Sequence, residues 1–259
     1  MDLAFFPELD AFFGGLFLFC AFLLRYLVVA GGAFLVFYVW WKRRWARWKI
    51  QEKFPGREKL RMEILFSLST FVIFALMGVL VMWMLRQGWT QLYFKIDEYG
   101  VPWMIASILL MILLHDTYFY WTHRLMHVRW IFPYVHKVHH LSNNPSPWSS
   151  FSFHPAEAVV EAGIVPLIAF LIPAHPLALL IFFLYMTVLN VIGHLGYELL
   201  PKGFTKHPLF KWSLTSTHHN MHHRFTKCNY GLYFSVWDRI MGTNHKEYDA
   251  HFEEIKNRS

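Results

Sequence analysis

Apolar positions along this chain seldom alternate with polar ones; they gather in runs long enough to match a bilayer. Residues 11–41 are apolar except at a few positions, chiefly Arg25. A transmembrane helix needs about 20 apolar residues, so this run predicts a span centred on 26–41. Arg25 is expected to snorkel its guanidinium towards water, with 11–24 completing the span or lying at the interface. Further spans are predicted over 64–85 and 101–121. Between them, residues 86–100 carry two basic and two acidic side chains. Two shorter apolar segments, 158–172 and 177–192, flank PAHP at 173–176. Each is at the short end for a span, so they predict a hairpin that crosses fully or penetrates partly. Either way the chain returns to the side it left. The expected fold class is an all-α integral membrane protein with about four transmembrane helices.

Composition supports this reading. Of 259 residues, 56% are hydrophobic and only 16% charged, and Phe, Trp and Tyr number 26, 12 and 12. Many of these aromatics fall near the ends of apolar runs, as in interfacial belts. The net charge of +7 would suggest nucleic acid in a soluble domain. Here much of it sits in 42–61, where nine residues are Lys or Arg. Flanked by spans, that loop is a positive-inside signal, placing it in the cytoplasm and leaving no nucleic-acid partner to expect. Cys20 and Cys228 imply no disulfide framework. The first ten residues are acidic rather than basic and lack the n-region of a cleaved signal peptide.

The candidate chemistry lies in histidines. The sequence holds 16, and eight fall in three clusters: His123 and His127; His136, His139 and His140; His219, His222 and His223. Residues three and four apart share a helical face, so each cluster aims its imidazoles into one space. Neutral imidazole is a ligand for iron, zinc, copper and nickel. Eight exceed the three or four protein ligands typical of a single zinc site, so the count fits two metals better than one. The topology places every cluster on the side of the basic loop, as a cytoplasmic helical cap. Asp116 lies on the face of His123 and His127, within ~20° of whole helical turns. It is expected to orient a ligating imidazole through the ring's second nitrogen. An unpaired carboxylate inside an apolar helix is otherwise costly.

These residues carry a resemblance. HRLMH, HKVHH, SFHPAEA and HHNMHHRFTKCNYGLYFSVWDRIMGT resemble the fatty acid hydroxylase/sterol desaturase superfamily over roughly 114–243. The HHxxHH box followed by NYG and WDRxxGT is most similar to its sterol C5-desaturase-like branch. The resemblance implies a non-haem di-metal centre that uses dioxygen and external electrons to hydroxylate or desaturate lipid C–H bonds. Carried over by position, the eight clustered histidines are the ligands. His194, in NVIGHLG, is a further ligand candidate; His218 is a ligand or supports one, and His154 lines or supports the site. Trp237 and Asp238 match a segment concerned with packing and orientation.

Chemistry narrows the metal. Breaking an unactivated C–H bond is beyond acid–base catalysis, so two iron ions are expected. Zinc binds such sites more tightly than Fe(II) and can replace iron in preparations. The substrate is expected from the bilayer, a sterol-like or fatty-acyl lipid, with Tyr118, Phe119 and Trp121 candidates to wall its tunnel. With no HPGG segment, electrons are expected from an external donor of the cytochrome b5, ferredoxin or reductase type. Competing readings are a hydroxylase of another bilayer lipid (alkylglycerol, sphingolipid, carotenoid) and a metal-handling membrane protein with ligands distributed through the spans. The organisation expected is a transmembrane region over 1–100, a fatty acid hydroxylase-like catalytic domain over 101–245 and a tail over 246–259. The compact N-terminus and a C-terminus without a dilysine-type signal favour a bacterial inner membrane over the endoplasmic reticulum.

Overall fold

The structure, a computed structural model, describes residues 10–258. Among these the protein is helical, with only isolated bridges and no strand. Four helices are long and apolar enough to cross a membrane: α1 (Ala11–Trp40), α2 (Arg57–Arg86), α3 (Gly100–Met126) and α8 (Pro176–Gly193). Between α3 and α8 come α4 (Phe132–Val135), α5 (Lys137–His140), α6 (Pro155–Ala162) and α7 (Ile164–Leu171). The chain closes with α9 (Ser216–Phe225), α10 (Val236–Ile240) and α11 (Tyr248–Lys256). The protein is an integral membrane protein.

The 11–24 and 26–41 stretches form one helix rather than a span plus an interfacial segment. Asp10 caps it, its carboxylate accepting from the Phe12 amide at 2.7 Å. Thirty residues give α1 and α2 a length of ~45 Å, more than the ~30 Å of a hydrocarbon core. Ile105, Leu109 and Leu113 on α3, and Leu180, Leu184 and Val188 on α8, are exposed at i, i+4 spacing. Such continuous apolar stripes suit lipid, not water. Arg25 departs from expectation. Its guanidinium turns inward between the Phe22 and Phe183 rings, 5.1 and 5.7 Å from their centroids, instead of snorkelling.

Of three apolar cores among the described residues, two hold the middle of the bundle. One joins Met111 and Ile112 of α3 to Ile164 and Ile168 of α7 and Ala178 and Phe182 of α8. The other joins Tyr26 and Ala30 of α1 to Phe71 of α2, Phe151, Phe153, Ala158 and Val191. Gly78 of α2 faces α1: a Cβ there would meet Leu18 Cδ1 at 2.5 Å, so a larger residue would have to displace that side chain.

The predicted 158–172 segment is broken. Pro166 stands in the first turn of α7, where it has no N–H for the turn before, and the chain divides at Gly163 into two eight-residue helices. The hairpin nevertheless reaches the opposite end of the bundle. The Gln91 amide donates to the Ala169 carbonyl at 2.7 Å, and Trp103 Nε1 donates to the Pro173 carbonyl at 2.9 Å. Its turn therefore meets the α2–α3 loop.

The basic loop packs at the histidine-bearing end. Gln51 donates to the Asn143 carbonyl and to Asn220 Oδ1, both at 2.9 Å, and Asn144 donates to the Lys53 carbonyl at 2.6 Å. Near the start of α2, the buried Glu63 carboxylate accepts from Ser142 and Ser146 at 2.8 and 2.6 Å, tying the segment after α5 to the bundle.

This arrangement sets a topological test. In a background lacking Cys20 and Cys228, single cysteines at the exposed positions Lys53 and Lys246 should react with an impermeant maleimide from the same side of sealed vesicles. A cysteine at Gln91 should react only from the other side. Opposite labelling of Lys53→Cys and Lys246→Cys would contradict the fold.

Candidate metal centre

Four elements bring histidines to one end of the bundle. His123 occupies the last turn of α3 and His127 caps its C-terminus. His136, His139 and His140 lie at and within the single turn of α5. His194 caps the C-terminus of α8, and α9 carries His219, His222 and His223. Thr215 starts α9, its hydroxyl accepting from the His218 amide at 3.2 Å.

The rings converge in two adjoining groups. His123, His127, His136, His140 and His222 form one; His139, His194, His219 and His223 form the other. Within each, one nitrogen per ring lies within 4.8 Å of the rest. In the first, Nε2 of His123 is 3.0 Å from that of His136, and Nε2 of His140 is 3.0 Å from that of His222. In the second, Nε2 of His194 lies 3.0, 3.2 and 3.3 Å from those of His219, His223 and His139. His139 and His223, with ring centroids 4.6 Å apart, represent α5 and α9 in the second group. His136 and His140 represent α5 in the first, and His222 represents α9. Each HxxHH box thus divides, its i, i+4 pair serving one group and its middle histidine the other.

The outward nitrogens explain why the inward ones are free. A carbonyl can only accept, so an Nδ1 within bonding distance of one must carry the proton. His123 Nδ1 donates to the Tyr230 carbonyl at 2.8 Å, and His222 Nδ1 to that of Cys228 at 2.7 Å. His194 Nδ1 donates to Asn190 at 2.8 Å, and His139 Nδ1 to Ser152 at 3.3 Å. His136 Nδ1 donates to Glu157 Oε1 at 2.7 Å. Each of these rings is left with an Nε2 lone pair facing other Nε2 atoms, an arrangement that suits a cation and little else. Burial, reinforced by neighbouring imidazoles, holds His127, His136, His139, His140, His219, His222 and His223 far below the usual histidine range. Burial takes His194 to about 4. The rings are therefore neutral at physiological pH, the form in which imidazole can ligate a metal. Burial also pushes the Glu157 carboxyl well above its usual range. A cation on His136 Nε2 would counter this, favouring the carboxylate and the donated proton.

Asp116 takes a different place from the one its spacing suggested. Its Oδ1 accepts from the amides of Tyr233 and Phe234, at 2.8 and 3.1 Å, not from an imidazole. Asp238 grips the same loop, accepting from the Tyr230 and Gly231 amides at 2.9 and 2.8 Å. The two carboxylates hold the segment whose Tyr230 carbonyl orients His123, so Asp116 acts through the loop. Helical angle alone gave its direction, but the loop amides lie nearer.

His218 belongs to neither group. It packs on Tyr248 with Asp238 Oδ2 at 3.6 Å, and burial lowers it to about 4. His154 lies half-buried before α6, its Nδ1 accepting from the Ala156 amide at 3.2 Å, so it supports the helix that carries Glu157. Glu157 itself went unnoticed in the sequence, although a carboxylate at the head of an apolar run was a usable signal. The orienting carbonyls had no sequence signal at all.

A cavity of about 550 Å³ opens from the histidines into the bundle. His123, His136, His139, His194 and His219 stand at one end, and Phe17, Val81 and Leu179 lie along α1, α2 and α8. Of the aromatics expected to wall a tunnel, Phe119 does so. Tyr118 donates to the Val160 carbonyl at 2.6 Å, and Trp121 is largely exposed, packed against Trp237.

Known proteins place this architecture. A Delta(7)-sterol 5(6)-desaturase of Gibberella zeae is 33% identical over 158 residues, 61% of this chain and 47% of that protein. Human lathosterol oxidase is 28% identical over 189 residues, 72% of this chain and 62% of its own length. A Delta(7)-sterol 5(6)-desaturase of Schizosaccharomyces pombe is 28% identical over 200 residues, covering 76% and 63%. The chain thus spans about half to three-fifths of the length of these curated relatives. No solved structure matches. The family model described as fatty acid hydroxylase matches residues 108–243, more than half of the chain and all nine grouped histidines, and the chain belongs to that family.

Proposed function

We propose that this protein is a membrane-bound, dioxygen-dependent, non-haem di-iron oxidase that hydroxylates or desaturates a C–H bond of a sterol-like or fatty-acyl lipid. The observation that carries the reading is the meeting of two groups of inward-facing Nε2 atoms with an apolar cavity at the bilayer end of the site. His123, His127, His136, His140 and His222 would hold one ion, and His139, His194, His219 and His223 the other. Bound iron supplies the one-electron and dioxygen chemistry that side chains lack; zinc, which has no redox chemistry, would fill the site without it. Glu157 and the carbonyls of Ser152, Asn190, Cys228 and Tyr230 orient the rings. The cavity excludes water and receives the lipid from the membrane.

Residues 101–245 act as the catalytic domain in this reading, with 1–100 contributing the remaining cavity wall. Arg129, Lys137, Arg224 and Lys227 are exposed and close in sequence to the grouped histidines. Exposed cations there suit an acidic redox partner of the cytochrome b5, ferredoxin or reductase type. The basic loop favours a cytoplasmic histidine end. A metal-handling role calls for ligands spread through the spans. The histidines instead gather at one end, while His175 at the other accepts from the Leu177 amide.

Two experiments test the reading. Purified from iron-supplemented cells, the protein should contain about two metal ions per chain and consume dioxygen in the presence of lathosterol or an oleoyl lipid and a reducing system. The zinc-loaded form should be inert. An iron-loaded protein that oxidises none of the bilayer lipids supplied to it would refute the assignment. Separately, Glu157→Leu should weaken metal binding ~10–100-fold, the usual effect of losing a ligand's hydrogen-bond partner. His139→Ala should instead empty its group. Unchanged metal affinity in Glu157→Leu, measured by competition with a chelator, would show that the Glu157 contact is only packing.

A further inference from the structure

The lipid cavity is walled mainly by aliphatic and aromatic side chains, and one acid in it is unaccounted for. Glu161 lies on α6, is 9% exposed, and lines the cavity beside Ala162 and Leu232. Among the described residues it has no hydrogen-bond or ion-pair partner. Each of the other acids, bases and cations on the cavity wall has at least one side-chain contact. Glu157 Oε1 accepts from His136, although its Oε2 is buried without a partner; His115 Nδ1 lies 2.8 Å from the Tyr233 hydroxyl, and Arg25 stacks on Phe22 and Phe183. A buried polar group without a partner is expensive, and one retained in an apolar ligand cavity is a candidate for recognising the ligand.

Its position sets what it can recognise. Glu157 and Glu161 are four residues apart on one helix, so they share a face, with Cβ atoms ~5–6 Å apart. Glu157 touches His136, so Glu161 stands one helical turn below the ligand shell, where the apolar part of the cavity begins. A carboxyl there meets a polar group of the substrate only if that group lies close to the carbon attacked at the metals. The remaining hydrocarbon would extend towards Phe17 and Leu179.

We propose that Glu161 is a specificity-determining residue that receives a hydroxyl close to the reacting carbon, as the 3-hydroxyl of a sterol is, and so orients the lipid hydroxyl-end towards the metals. A carboxyl can accept from a hydroxyl or, when protonated, donate to it, so the pairing is available in both states. A plain acyl chain has nothing to offer at this height and leaves Glu161 unpaired. The assignment rests on the lipid oxidase reading and selects hydroxylated ring lipids within it.

The test compares lathosterol with its 3-deoxy analogue on the full-length, iron-loaded protein in lipid nanodiscs, reading binding rather than turnover. Binding is followed as protection of Glu161 from dicyclohexylcarbodiimide, mapped by mass spectrometry, and for the variants by displacement of tritiated lathosterol. The wild type should bind lathosterol roughly tenfold or more tightly than the deoxy analogue. Glu161→Leu should retain its metal and lose this preference, whereas Glu161→Gln, which still hydrogen-bonds, should keep most of it. The proposal is overturned if the wild type binds the two probes equally or binds neither, or if metal-loaded E161L still discriminates. The carbodiimide experiment uses the wild type alone and decides the matter should E161L not fold. Lathosterol that binds with discrimination but is never oxidised counts against the oxidase reading and leaves this assignment standing. Oxidation without discrimination does the reverse.

Discussion

The structure depends on keeping nine imidazoles, eight of them buried and His127 half-buried, neutral and pointed at one another. Each inward lone pair repels its neighbours. An unsatisfied buried acceptor costs about 1–3 kcal/mol, so the set is tolerable only as a place for cations. For His123, His136, His139, His194 and His222, backbone carbonyls and one carboxylate settle which nitrogen carries the proton. Everything that builds the histidine-bearing end serves that arrangement: Asp116 and Asp238 gripping the 230–234 loop, Glu63 tying down 142–146, and Thr215 starting α9. Where binding a metal relieves such crowding, its binding energy becomes folding energy.

The cavity makes the two halves of the chain interdependent. The histidines come from α3 onward, but the far wall comes from α1 and α2, which also bind the basic loop and the segment after α5. Gly78 of α2 leaves room there for the Leu18 side chain of α1. The division at Gly163 and Pro166 turns α6 and α7 into separate pieces, so α6 can present two carboxyl groups to the site while α7 packs against α3 and α8. Polar and apolar duties are thereby separated along one short stretch of chain.

Much of this was legible in the sequence. Long apolar runs predicted the spans because a bilayer demands a length that few other environments do. Histidine spacing predicted that the boxes would converge because helical geometry decides which residues share a face, and His194 joins them at the end of α8. What escaped was contact that spacing does not encode. The orienting carbonyls belong to backbone at Cys228, Tyr230, Asn190 and Ser152, where residue type carries no message. Asp116 had the correct face and a different partner, since a neighbouring loop offered amides nearer than any ring. Arg25 read as a snorkelling residue because a single sequence does not reveal which side of a helix faces a cavity. The break before α7 was readable from Gly163 and Pro166, but hydropathy outweighed it.

The division of each HxxHH box between the two histidine groups has a thermodynamic consequence. Turn α5 and helix α9 each hand ligands to both groups, so the same two pieces of backbone must be immobilised for either ion to bind. In a centre holding two ions, the first to arrive would lose the free energy needed to order them, and the second would find them already ordered. Affinity for the second ion would be raised by that amount, and by reciprocity the second would make the first harder to remove. Such a centre would fill and empty as a pair, with a half-loaded population disfavoured by the covalent spacing of three residues within each box.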